Sequence, residues 1–267
     1  MDASTLPDLQ LTEDDRKVIN LLDAEPPSQA RHCFRSAINH LRRAQVIQDI
    51  DPAMAIFRGI TAEEEAASGL MHAFIQRNYP NANLLKPKVH LQKHAITPYL
   101  RFLLHHLAEI KLNGVRTFRL AIQKIDGLNR LTIVLLLEGE GEEMAATPLP
   151  PLNFSVREGD GGGFPDLSRN IRELLGPVGY TNVQSFLKNE ANLRNKILYA
   201  GPDGYPSIQA LQPEFILDRQ RRVLNILKAA LLILPYDEIQ PFASEALASF
   251  LRLLNRLSAT TGDNPLF

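Results

Sequence analysis

The sequence predicts a mainly α-helical chain with one β-hairpin set into it, and three observations carry the prediction. Apolar residues recur at helical spacing on both sides of the middle of the chain, and the spacing changes to that of strands over about residues 116–138. Cap and turn residues stand where the period changes. A length of 267 residues with 45% hydrophobic content is ample for one sizeable core.

The elements follow in order. Thr12 with Asp15, ahead of Val18, Ile19, Leu21 and Leu22, reads as a short capped helix ending near Glu25-Pro26-Pro27. Residues 1–27 are thus an N-terminal extension with a short helix, 28–258 a single helical domain, and 259–267 a tail. From Ser28, the residues Ala30, Phe34, Ala37, Ile38, Leu41 and Ala44 mark the first core helix. Asp51-Pro52 starts the second, because the carboxylate caps free amides and proline's missing N–H is not needed in the first turn. This helix runs to about Arg77. A basic stretch, Lys86 to His94, leads into a third helix reaching Leu112, which Pro98 should start or kink.

Arg116 to Ile125 and Leu128 to Glu138 are rich in β-branched and large apolar residues around the turn pair Asp126-Gly127, the signature of a hairpin. Residues 139–169 hold six glycines and four prolines and read as a long mobile loop. Helical spacing returns at 171–175 and 182–200, then at 213–234 and 241–257.

Charge and motifs exclude several function classes. The 29 basic and 30 acidic residues give a net charge of -1, so any contact with nucleic acid must be local. Cys33 is the single cysteine, which leaves no internal disulfide. The acidic start of the chain lacks the apolar core of a secretion signal, and the apolar runs 131–137 and 229–235 are far shorter than a membrane span. A cytoplasmic protein with no membrane partner is expected. Glycine-rich phosphate loops, nucleophile elbows and paired CxxC motifs are absent, and no cofactor is expected.

His90 and His94 stand four apart, as zinc ligands on a helix sometimes do, but no third ligand accompanies them and no metal is expected. Their segment reads as solvated basic surface. Glu63, Glu64 and Glu65 leave two readings open. Either all three are solvated, or one, such as Glu64, points inward and is paired with an arginine from a neighbouring helix. Arg194 and Tyr199 are five apart, roughly 140° around a helix, and can flank one cleft.

Four segments taken in order resemble the HEPN superfamily (higher eukaryotes and prokaryotes nucleotide-binding), and more narrowly the AbiV-type abortive-infection proteins of bacteria. They are Ser36 to Ala44, the acidic Ile60 to Ala67, His90-Leu91-Gln92-Lys93, and Arg194-Asn195-Lys196-Ile197-Leu198-Tyr199 followed by Gly204 and Pro206. The resemblance implies a HEPN-like helical bundle, usually a homodimer, in which an arginine and a histidine a few residues apart cleave RNA without metal. It assigns Arg194, Tyr199 and Glu64 to catalysis and Asn195, Lys196, His90 and Lys93 to contacts with RNA or a nucleotide.

Two departures accompany it. Tyr199 stands where an active ribonuclease places histidine, and Ala66-Ala67 stands where a Gly-Lys pair often follows the glutamates. Tyrosine, ionising near pH 10, is a poor general base at neutrality. The implied role is RNA targeting in phage defence or stress response. The alternatives are a non-catalytic nucleotide- or protein-binding helical module, and a scaffold with the hairpin as docking edge.

Overall fold

In the computed structural model, which describes residues 9–109, 115–137, 144–155, 187, 192–194, 196–199, 208, 210–212 and 214–259, side-chain caps set the first three helices. Thr12 Oγ1 accepts from the Asp15 amide at the start of α1 (Glu13–Ala24). Ser28 caps α2 (Gln29–Ile47) through the Arg31 amide. Asp51 caps α3 (Pro52–Gln76) through the Met54 amide, with Pro52 in the first turn.

Helices α2 and α3 pack along one another so closely that Gly69 touches the buried Phe34 ring. A Cβ on residue 69 would lie 2.7 Å from Phe34 Cε2. Gly69→Ala should therefore cost about 1–3 kcal/mol by overpacking, although alanine is the better helix former. Urea denaturation checks this: an unchanged midpoint would mean that the Phe34 ring gives way freely.

Helix α4 (His90–Glu109) begins eight residues ahead of Pro98, which sits buried inside it instead of starting it. The start is fixed by tertiary contacts, since Gln92, Lys93 and His94 are all buried and Gln92 Oε1 accepts from the Lys86 amide at 2.8 Å.

The hairpin forms as β1 (Val115–Ile125) and β2 (Leu128–Leu137), joined by Asp126 and Gly127 with φ of 49° and 81°. Both are left-handed, the requirement of the tight turn that matches strand twist. A third strand, β3 (Met144–Ala146), pairs antiparallel with β2 and corrects the reading of 139–169 as unbroken loop. Three residues are too few to show a period of two.

Strand β2 lies between the other two, and its Leu131 and Ile133 enter the main core. The hairpin is thus built into the helical body. Helices α5 (Glu214–Leu231) and α6 (Pro241–Ala259) complete the described structure, with α5 packed against α1, α2, α3 and α4. Helix α1 adds Val18, Leu21 and Leu22 to the same core. Asp15 pairs with Lys228 at 3.1 Å, and Glu25 with Arg130 at 2.7 Å.

The helix expected at 171–175 and most of that at 182–200 lie outside the described residues; 187, 192–194 and 196–198 are helical. No helix among the described residues is long and apolar enough to cross a membrane.

Candidate functional site

Each helical residue turns by about 100°, so three consecutive glutamates on α3 face three directions. Glu63 and Glu64 are each only 3% exposed, while Glu65 is half-buried. Their neighbours Ala62, Ala66 and Ala67 are fully buried and small, which lets adjoining helices approach the carboxylates. Two buried anions side by side persist only if cations and hydrogen bonds surround both. The fold supplies a separate set to each.

Glu64 is served by the first turns of α4. His90 Nδ1 lies 2.9 Å and His94 Nε2 3.0 Å from Glu64 Oε1, and Lys93 Nζ lies 3.3 Å from Oε2. Arg194 Nη1 approaches Oε2 at 3.9 Å from the 192–194 helical segment. It also lies 3.0 Å from His90 Nε2, and its guanidinium covers the Phe57 ring at 5.2 Å. Burial alone would raise the Glu64 carboxyl. The His94 contact and then the Lys93, His94 and His90 charges outweigh it, lowering the pKa to about 2. Glu64 is therefore a fixed anion at neutral pH.

A proton on His90 Nδ1 satisfies the geometry around that ring. Nδ1–H donates to Glu64, and the Nε2 lone pair accepts from Arg194. The buried carboxylate thus orients an imidazole whose side chain is 47% exposed.

Glu63 belongs to a second network. It accepts from Thr97 Oγ1 on α4 and from Arg219 Nη1 on α5, with Arg222 Nη1 at 3.5 Å. Arg219 covers the Phe215 ring at 5.0 Å, and Arg222 is held by Asp218 at 2.6 Å. Burial pushes the Glu63 carboxyl up, but the Arg219 and Arg222 charges with the Thr97 and Arg219 hydrogen bonds hold it below the usual range. This network ties α3, α4 and α5 together around a buried carboxylate, with Arg222 and Asp218 at its partly exposed edge.

The structure brings together Glu64, His90, Lys93 and Arg194 and leaves out Tyr199, which is 68% exposed. Lys196 is exposed, and Asn195 lies outside the described residues. The Lys86 to His94 segment is corrected: Lys93 and His94 are buried on Glu64, and His90 alone of the three stands at the surface. The solvated reading of Glu63 and Glu64 falls with it.

Sequence reasoning placed His94 on a solvated surface and missed Thr97, Arg219 and Arg222. A signal was there, because Arg219 sits between Ile216 and Val223 on the apolar stripe of α5, at spacings of three and four. A charge on such a stripe asks for a buried partner.

Neither a family model, a curated protein nor a solved structure matches the chain. The site's chemistry therefore has to speak for itself. Even with both histidines counted as neutral, Lys93 and Arg194 against Glu64 leave one positive charge in surplus, and α4 begins at His90, so its N-terminal dipole adds to the field. The arrangement favours an anion and disfavours a cation. Among the described residues, no group of three or more His, Cys, Asp or Glu is placed to hold a metal ion.

Proposed function

We propose that the chain is a HEPN-like protein, of the AbiV kind, that acts on RNA at the Glu64–His90–Arg194 cluster in phage defence or stress response. One observation carries the reading: an arginine and a half-exposed histidine in contact at 3.0 Å, with a buried glutamate on the far nitrogen of the imidazole. Phosphate chemistry without a metal needs a group that moves a proton and a cation that holds the developing charge. His90 Nε2 takes the first role once Arg194, whose planar fork suits phosphate oxygens, turns its N–H from that lone pair onto the phosphate and takes the second. In this arrangement the histidine comes from α4, so Tyr199 is not required as a base. A homodimer, as the family resemblance implies, is part of the proposal.

Cleavage of a single-stranded RNA by the purified chain should fall at least ~100-fold in Arg194→Ala and in His90→Ala. Toxicity on expression should fall with it. If the wild-type protein cleaves no RNA, and wild type and Arg194→Ala are equally harmless, the catalytic reading is lost. The surplus positive charge around Glu64 favours a second reading, a nucleotide- or RNA-binding module without turnover. That reading expects salt-sensitive binding weakened by Arg194→Ala, and any cleaved product in a clean assay excludes it.

A further inference from the structure

A cavity of about 180 Å³ lies between α3, α4, α5, α6 and the hairpin, lined almost wholly by apolar side chains. Leu70 and Phe74 of α3, Leu100 and Leu103 of α4, and Ala246 and Phe250 of α6 form its walls. Exposed Leu104 and Leu120 are also part of the lining, so the cavity reaches the surface.

The polar lining groups are Tyr99, Asn225 and Lys228. The Tyr99 hydroxyl is already spent on the Ala246 carbonyl at 2.7 Å. Lys228 is neutralised by Asp15 at 3.1 Å but keeps further N–H donors, and Asn225 is exposed. Asn225 and Lys228, about one turn apart on α5, thus give an otherwise apolar space hydrogen-bonding capacity on that helix's side.

The surrounding core packs densely, so an apolar cleft of this size that reaches the surface leaves its walls short of contacts that a ligand can supply. Ordered water would need two to four polar partners, which the apolar walls do not provide. Apolar cavities near 150 Å³ hold a benzene-sized molecule, so this one takes roughly six to eight carbons.

We propose that the cavity is a binding site for a single short aliphatic chain of this size, with an uncharged polar end, such as a hydroxyl, placed at Asn225 and Lys228. A neutral end is preferred because Asp15 already balances the lysine and would repel a carboxylate. The site is independent of the RNA reading, although its walls are the later turns of the same α3 and α4 that carry Glu64 and its partners.

Thermal unfolding and equilibrium dialysis of the full chain with primary alcohols test the proposal. The expected result is a saturable rise in Tm with 1-octanol at a stoichiometry of one, with affinity falling about fourfold for each methylene removed. Ala246→Leu and Ala229→Leu, which fill the cavity, should keep the Tm of the free chain and lose at least ~10-fold in affinity. Should neither variant fold, the chain-length series and the stoichiometry on the wild type still decide. A Tm that only falls with alcohol, a stoichiometry far below one, or undiminished binding in a folded filled variant overturns it. No binding at all, as a cavity filled by another part of this chain or by a second copy would give, overturns it as well.

Discussion

Replacing Arg219 with methionine should lower the unfolding free energy by about 3–5 kcal/mol, because it strands a carboxylate that has no route to water. Glu63 is only 3% exposed, and Arg219 is its closest cation, held in place by the Phe215 ring beneath its guanidinium. Arg222 cannot simply take over, since it stands 3.5 Å away and is shared with Asp218. In a chain of this size the loss corresponds to a drop in Tm on the order of 10 °C. The double variant Glu63→Gln with Arg219→Met should recover much of it, since the unpaired charge is then gone. Urea denaturation of wild type, both single variants and the double variant gives the coupling. A loss below about 1 kcal/mol for Arg219→Met, the scale of an exposed pair, would show that Glu63 finds other compensation.

The acid limb of stability should be steeper in the wild type than in Glu64→Gln. The Glu64 pKa falls from 4.5 to about 2 on folding, so between those values the unfolded chain binds the proton and the folded chain does not. The stabilisation is therefore fully present above about pH 4.5 and is lost as the pH falls towards 2. A shift of this size corresponds to a contribution on the order of 3 kcal/mol at neutral pH.

Glu63 is depressed in the same direction and adds to the slope in both proteins, so the comparison isolates Glu64. Glutamine cannot titrate and also leaves the buried Lys93 without its anion. The gap in unfolding free energy between wild type and variant should then be widest near neutrality and close as the pH approaches 2. Parallel curves across that window would mean that Glu64 titrates in the folded chain as it does unfolded.

The elements were largely legible in the sequence because their signals are local. Thr12, Ser28 and Asp51 cap the helices they precede, and Asp126-Gly127 takes up the left-handed turn that its residue types favour. The sequence leaves Pro98 open as either the start of α4 or a kink within it, because Pro98 is a strong local signal and Gln92, Lys93 and His94 are weak ones. Their burial against α3 settles the matter, and no neighbouring residue announces it.

Sequence alone also marked Glu64, His90, Lys93 and Arg194, but each only as a residue type in a pattern. That His90, Lys93 and Arg194, up to 130 positions from Glu64, close around its carboxylate is a property of helix packing. The same packing leaves Tyr199, five residues from Arg194, out in solvent. Whether a carboxylate is solvated or buried, and which cation answers it, depends on which helix faces meet. Local spacing fixes the faces, and the tertiary structure alone decides which of them meet.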